Sequence, residues 1–128
     1  MSEANNQKIN ETKKCLFCSD EVTSAKILEN EGAYAVYDKF PASRGHILVI
    51  PKKHSENFFE SDIGSRGAMN ALAFAVKVYL DEKYSPDGYN ILLNCGKDAG
   101  QIIFHTHMHV IPRYNGDGKK MGLCGHAK

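Results

Sequence analysis

The stretch that decides the fold is His-Thr-His-Met-His-Val-Ile, residues 105–111. Its β-branched residues favour a strand, and successive side chains of a strand point to opposite faces of the sheet. Alternation therefore places the imidazoles of His105, His107 and His109 on one face, whereas a helix would spread them around its axis. We predict that the function of the chain depends on this face.

The segments around this stretch predict a small mixed domain. Short runs rich in β-formers predict strands at residues 25–28, 33–37, 46–50, 89–95 and 102–111. Pro51 and Pro112 are expected to end two of these strands, because proline cannot donate to a ladder. Apolar residues at three- and four-residue spacing predict one long helix over residues 61–84, firm from Ala68 because Gly64 and Gly67 weaken its first turns. These elements predict an α+β domain with a largely antiparallel sheet of five strands.

Length and charge limit the classes of function. The chain has 128 residues and a formal net charge of +1, which fits one domain and does not indicate a nucleic-acid-binding surface. Its apolar runs are too short to span a bilayer and its N-terminus is not a signal peptide, so we expect a cytoplasmic protein without a membrane partner. We expect residues 1–14 to form a flexible tail, residues 15–114 the domain, and residues 115–128 a loosely held tail.

The cysteine spacing indicates a metal centre. Cys15 and Cys18 have zinc-ligand spacing, although a single Cys-x-x-Cys pair is also a redox motif. His54 and His105 are candidates for the third and fourth ligands of a closed, structural zinc site. On a strand, His105 and His109 would lie about 13 Å apart, too far to share one ion, which argues against a site made of the three clustered histidines. Reduced cysteines without a metal remain the alternative.

The motifs taken together resemble the histidine-triad family of nucleotide hydrolases and transferases. Residues 105–111 fit its His-φ-His-φ-His-φ-φ signature, where φ is apolar. Comparable segments stand at residues 38–41, 45–54, 94–96 and 100–101, so the likeness runs from about residue 15 to residue 114. The Cys-x-x-Cys pair and a Gly-Tyr-Asn strand most resemble a zinc-containing bacterial branch of diadenosine-polyphosphate hydrolases. The resemblance implies the fold of that family, with one long and one short helix, and a homodimer.

The resemblance also implies a mechanism. The middle histidine, His107, would attack the α-phosphorus of a nucleotide substrate and form a nucleotidyl-histidine intermediate. The leading candidate substrate is an adenine dinucleoside polyphosphate. His109 would donate to a phosphate oxygen, and Gln101 would contact the scissile oxygen or orient water. The remaining implied positions are Asp38 for the ribose, Asn94, Gly100, Gln101 and Ile102 for the phosphate, Leu48 for the base, His46 as support for the triad, and Cys15, Cys18, His54 and His105 for zinc.

Three departures from the family pattern bear on the substrate. Ile102 stands where many relatives carry Ser or Thr, Lys39 stands where several carry an apolar residue that contacts the base, and residues 121–126 do not match the basic ending of the bacterial branch. Three other functions therefore stay open. They are hydrolysis of nucleoside phosphoramidates, a zinc-stabilised nucleotide-binding module with little turnover, and a Cys/His redox or metal-delivery protein.

Overall fold

The computed structural model describes residues 15–118, which fold around one antiparallel sheet of five strands. The spatial order of its strands is β1-β2-β3-β5-β4. The strands are β1 (Leu28–Glu29), β2 (Ala33–Tyr37), β3 (Ile47–Pro51), β4 (Gly88–Leu92) and β5 (Met108–Arg113), and the helices are α1 (Asp20–Thr23) and α2 (Ile63–Tyr84). Single 3₁₀ turns lie at Leu16–Cys18, Phe58–Glu60 and Lys97–Ala99. The predicted α+β class, with one long and one short helix, is confirmed.

The long helix starts earlier than its glycines suggest. α2 begins at Ile63, two residues after the predicted start at residue 61, and is helical well before Ala68 because the Asp62 carboxylate accepts a hydrogen bond from the backbone N–H of Ser65 at 2.7 Å. An N-cap of this kind satisfies an unpaired donor of the first turn and offsets the low helix propensity of Gly64 and Gly67. The predicted apolar stripe of α2 is buried against the sheet, as Met69, Leu72, Ala73, Val76 and Leu80.

The largest error of the strand prediction concerns the histidine stretch itself. A strand over residues 102–111 is wrong, because β5 begins only at Met108. The backbone N–H of Thr106 donates instead to the carbonyl of Ser55 at 2.8 Å, which ties this segment to the loop after β3. His105 and His107 therefore precede the strand, and only His109 lies on it.

The other strand bounds differ by a few residues. β1 covers residues 28–29 rather than 25–28, and β4 covers residues 88–92 rather than 89–95, because its partner β5 begins too late to pair further. Pro51 is the last residue of β3, as expected, but Pro112 lies within β5. Beyond Val110, β5 is paired with β4 alone, so a residue without an N–H is tolerated on the side where β3 has ended.

The two faces of the sheet have different roles. One face packs on α2 through residues such as Ala35, Val49 and Val110. The opposite face carries a smaller apolar cluster of Phe17, Val22, Tyr34, Val36, Leu48 and Ile50. His109 pairs with Leu48 in the β3–β5 register and therefore belongs to this second face, where the candidate site lies.

The ends of the chain are described only in part. The predicted tail at residues 1–14, and residues 119–128 of the predicted C-terminal tail, lie outside the described residues. Within residues 115–118, the Asp117 carboxylate accepts hydrogen bonds from the Arg113 guanidinium at 2.9 Å and from the backbone N–H of Tyr114 at 3.0 Å. Over the described part of the chain, none of the helices has the length and apolar character needed to cross a bilayer.

Candidate active site and metal centre

Four potential metal ligands converge beside the second face of the sheet. They are the Sγ atoms of Cys15 and Cys18 and ring nitrogens of His54 and His105, and all four lie within 4.8 Å of one another. The 3₁₀ turn after Cys15 brings the two thiols together, since the backbone N–H of Cys18 donates to the carbonyl of Cys15 at 3.1 Å. The cluster contains the four ligands that the sequence prediction named.

The spacing within the cluster fits tetrahedral zinc. His105 Nδ1 lies 3.2 Å from Cys15 Sγ, 3.5 Å from Cys18 Sγ and 3.1 Å from His54 Nδ1. Zinc bonds of about 2.0–2.3 Å at tetrahedral angles place neighbouring ligand atoms about 3.3–3.8 Å apart. The observed separations are close to these values, so the donor set fits a closed structural zinc ion.

The protonation of the cluster supports the same interpretation. His105 Nε2 donates to the carbonyl of Pro51 at 2.8 Å, which leaves a lone pair on Nδ1, the atom that faces the thiols. Burial lowers the pKa of His105 to about 4, so the ring is neutral at pH 7. Burial and the neighbouring Cys15 thiol raise the pKa of Cys18 to about 12. A dication is the group that would reverse this effect.

A cavity of about 500 Å³ lies next to the cluster. One part of its wall is apolar and includes Phe17, Val36 and Leu48. The polar side chains that line it are Tyr37, Asp38, Lys39, His46, Asn94, His107 and His109, and Gly100 lines it as well. Of the predicted nucleotide-binding positions, the cavity lining includes all except Gln101. An apolar pocket with a few converging polar groups is typical of a small-molecule site.

His107 presents one unprotonated nitrogen to this cavity. Its Nδ1 donates to the carbonyl of His105 at 2.8 Å, so the proton is fixed on Nδ1 and the lone pair on Nε2 is free. Burial lowers the pKa of His107, which keeps the ring neutral at pH 7. The ring of Phe17 packs edge-on against it, with the two ring centroids 5.1 Å apart. A neutral, held imidazole of this kind is a competent nucleophile.

His109 is held with the opposite orientation by a relay of hydrogen bonds. The backbone N–H of Ala42 donates to His46 Nδ1 at 2.9 Å, so the proton of His46 must lie on Nε2. His46 Nε2 lies 3.0 Å from His109 Nδ1 and donates to it. The proton of His109 is thereby placed on Nε2. Burial, followed by the neighbouring His107 and His46 rings, lowers the pKa of His109 to about 4, so this donor is a neutral imidazole.

Asp38 closes the polar part of the cavity. One carboxylate oxygen accepts from the backbone N–H of Phe40 at 2.8 Å, and the other lies 3.5 Å from His46 Nε2 and 4.0 Å from His109 Nδ1. Asp38, His46 and His109 are thus close enough to share a metal ion. The Ala42 N–H argues against it, because a metal on His46 Nε2 would leave that ring with no proton at all. We interpret the trio as a hydrogen-bond relay.

The side chain of Gln101 is bonded to the backbone of the loops beside the cavity. Its side chain is buried, accepting from the backbone N–H of Gly96 at 2.7 Å and donating to the carbonyls of Glu56 at 2.7 Å and Ile103 at 3.0 Å. With both ends of the amide bound to backbone, it does not line the cavity. Gln101 therefore shapes the loop over residues 96–101, and a direct contact with a scissile oxygen is not what its placement supports.

Asn94 stands beside this loop at the cavity. It lines the cavity, whereas the amide of Gln101 is turned away from it. Gly100 has a φ of +92°, which a side chain rarely adopts, and an added Cβ would come within 3.9 Å of the Asn94 amide. The positive φ therefore explains glycine at residue 100, which itself lines the cavity.

Two backbone groups of the site could not be assigned to particular residues from the sequence. The carbonyl of His105 fixes the proton of His107, and the N–H of Ala42 fixes the proton of His46. Neither group has a side-chain signature. Only the proximity of the Pro41–Gly45 loop to His46 in the sequence could have suggested the second.

Comparison with known proteins agrees with this geometry. Residues 19–116 match the HIT domain family. The chain belongs to the HIT family. A relative in Arabidopsis thaliana, named adenylylsulfatase HINT3, is 35% identical over 106 residues, which cover 80% of this chain and 54% of that protein.

Two similar solved structures carry informative descriptions. A hypothetical histidine triad nucleotide-binding protein from Sulfolobus tokodaii is 40% identical with a TM-score of 0.74, and the match covers 80% of this chain and 71% of that one. A zinc-bound histidine triad family protein from Mycobacterium smegmatis is 36% identical with a TM-score of 0.75, covering 84% of this chain and 80% of that one. The Cys/His cluster of this chain is consistent with a bound zinc ion.

Proposed function

We propose that this HIT protein is a nucleotide hydrolase that cleaves dinucleoside polyphosphates at an α-phosphate and releases a nucleoside monophosphate. The observation that carries the proposal is the free Nε2 of His107, held in one protonation state by the His105 carbonyl and facing a cavity of about 500 Å³. The description of the Sulfolobus relative as nucleotide-binding and the name of the Arabidopsis relative support a nucleotide substrate.

In the first step, the Nε2 lone pair of His107 attacks the α-phosphorus. A nitrogen–phosphorus bond forms and the bond from phosphorus to the bridging oxygen breaks, with its electron pair leaving on the departing nucleoside phosphate. The Nδ1–H bond to the His105 carbonyl at 2.8 Å stabilises the positive charge that develops on the ring. His109 Nε2–H donates to a non-bridging oxygen of the same phosphate and offsets the negative charge that develops there.

In the second step, water cleaves the nitrogen–phosphorus bond. The oxygen of water bonds to phosphorus as one of its protons passes to solvent, and the electron pair of the broken nitrogen–phosphorus bond returns to His107 Nε2. The product is a nucleoside monophosphate. Asp38 accepts hydrogen bonds from the ribose hydroxyls, and Leu48 and Phe17 contact the base. These contacts hold the nucleoside through both steps. The binding energy of groups remote from phosphorus thereby positions the α-phosphorus for attack.

We assign zinc a structural role. Cys15, Cys18, His54 and His105 would hold it, and bound zinc would cross-link the Leu16–Cys18 turn to the segment that carries the nucleophile. Four protein ligands would fill the tetrahedral coordination of zinc, so no position would be open for a substrate. We therefore assign the phosphoryl chemistry to His107 and His109. We place the protein in the cytoplasm, where free thiols such as those of Cys15 and Cys18 stay reduced.

A nucleoside phosphoramidate is the second candidate substrate. An amine leaves phosphorus only when it is protonated, and the His46–His109 relay fixes a proton on the His109 nitrogen opposite the one that His46 holds. His109 would donate this proton to a departing amine, whereas a departing phosphate can leave as an anion without being protonated. Parallel assays of a diadenosine polyphosphate and an adenosine phosphoramidate decide between the two by the larger kcat/KM.

Isotope-labelled water tests the proposal. Hydrolysis of diadenosine triphosphate in ¹⁸O-labelled water is expected to place the label in AMP and none in ADP, because water attacks the phosphorus that His107 held. A label in ADP would mean attack at another phosphorus and would contradict the proposal. A protein that binds AMP tightly but leaves the triphosphate intact would be a binding module instead.

We also propose a homodimer in which β4 strands of two copies meet. β4 is an edge strand of the described sheet and carries Ile91, which is 58% exposed. Edge strands with exposed apolar residues are sites of association. Light scattering at micromolar concentration is expected to give a dimer mass for the native chain and a monomer mass for Ile91→Lys, and a monomeric native chain would refute the dimer.

A further inference from the structure

Two apolar side chains stand exposed at the mouth of the cavity. Among the large apolar residues of the described chain, Phe40 and Ile102 are the most exposed, at 88% and 86%. Both line the same cavity. A single exposed apolar residue needs no explanation, but the two most exposed ones at one opening mark a contact surface.

The direction of attack identifies what reaches this surface. His107 is only 9% exposed, so the nucleophile lies at the floor of the cavity. In an in-line displacement, the leaving group departs on the side of phosphorus opposite the nucleophile, which here is the side of the mouth. The buried apolar wall of Phe17, Val36 and Leu48 is available for the base of the nucleotide under attack. The rim residues therefore face the leaving group.

Both rim residues project from fixed backbone. Phe40 follows Asp38 by two residues, and its N–H is held by the Asp38 carboxylate at 2.8 Å. Ile102 directly follows Gln101, whose side-chain amide makes three hydrogen bonds to backbone. The backbone that carries the two side chains is thus fixed without a ligand, and less conformational entropy is lost when one binds.

We propose that Phe40 and Ile102 form a subsite for a planar aromatic group on the leaving side of the substrate. The inference rests on the proposed function and deepens it. A second nucleobase, or the aryl group of an amine, would pack against the phenyl ring and the branched side chain. An inorganic, methyl or alkyl leaving group has no planar aromatic surface to pack against these two side chains. Stacking of a base on a protein side chain changes affinity by on the order of tenfold or more.

Two substrate pairs test the subsite. Diadenosine triphosphate is compared with the γ-methyl ester of ATP, which has the same phosphates and charge but no second base. Adenosine phosphoramidate of 2-(indolyl)ethylamine is compared with that of propylamine. We expect the native chain to favour the aromatic member by about tenfold in kcat/KM in at least one pair, and the pair that responds tells a nucleobase from an aryl amine.

Variants assign the preference to the rim. Phe40→Ser and Ile102→Ser are expected to bring the ratio close to one, and Phe40→Trp to retain it. Phe59→Ser is the matched control, because Phe59 is 79% exposed but does not line the cavity. A ratio near one in the native chain, or a ratio unchanged in both serine variants, would overturn the subsite alone. No turnover of any of the four substrates would overturn the proposed function and the subsite with it.

Discussion

His105 and His107 are two residues apart, are both buried, and each donates one ring proton to a backbone carbonyl. They donate from opposite nitrogens. His105 donates from Nε2 to Pro51, so its Nδ1 faces two thiols and a second imidazole. His107 donates from Nδ1 to His105, so its Nε2 faces a cavity. The carbonyl to which each ring donates, rather than the residue type, therefore determines whether the histidine is suited to bind a metal or to act as a nucleophile.

The two histidines are also linked. The carbonyl that holds His107 belongs to His105, and the ring of Phe17, from the turn between the two cysteines, packs against both histidine rings at 5.9 Å and 5.1 Å. The Cys/His cluster is therefore linked to the candidate active site through Phe17, which lines the cavity, and through the carbonyl of His105. Changes to either histidine should separate a chemical function from a structural one.

Replacing His107 gives the largest expected effect. His107→Ala should lower kcat/KM by about 10⁴-fold or more, since the covalent route is lost, while the protein keeps one equivalent of zinc. Steady-state kinetics and metal analysis of the same preparation check both halves. Loss of zinc together with activity would contradict the assignment of metal binding to His105 and of nucleophilic attack to His107.

Replacing a metal ligand should have the reverse signature. Cys15→Ser is expected to lose zinc and to lower the free energy of unfolding by at least about 3 kcal/mol at micromolar zinc, because a tightly bound ligand stabilises the folded state. Cys95→Ser is the matched control, since Cys95 is half-buried and lies outside the cluster. Equal urea midpoints for the two variants would argue against a structural metal.

The pH dependence of stability sharpens the comparison on the side of the active site. The pKa of His109 is about 4 in the folded protein against an ordinary value of 6.5, so between these values the unfolded chain binds a proton that the folded chain excludes. The free energy of unfolding should fall as the pH is lowered, by about 2 kcal/mol from this group between pH 7 and pH 5. His109→Gln should show a loss smaller by that amount in urea titrations, and identical losses would contradict the burial of a neutral His109.

A smaller effect distinguishes Gln101 from Asn94. Gln101→Ala removes three hydrogen bonds to backbone and should lower the free energy of unfolding by about 1 kcal/mol or more. Asn94→Ala, at the cavity, should change stability by less than about 0.5 kcal/mol and act on kcat/KM instead. The reverse pattern would restore the direct role that the sequence suggested for Gln101.

The sequence predicted the fold better than it predicted orientation. Side-chain patterns gave the helix, the antiparallel sheet and the four members of the Cys/His cluster. They misplaced the start of β5, because the tie between Thr106 and Ser55 is made by backbone groups 51 residues apart. The contact of Gln101 with substrate was implied by the family resemblance alone, and a glutamine beside a glycine looks the same in sequence whether its amide binds substrate or backbone.

The most direct measurement is a search for the covalent intermediate. The protein is mixed with excess diadenosine triphosphate, quenched within milliseconds in alkali to preserve a phosphorus–nitrogen bond, and analysed by mass spectrometry. Our account predicts AMP attached to His107 and absent from His107→Ala. AMP attached to His109 or His46, or full turnover by His107→Ala with no adduct, would contradict it.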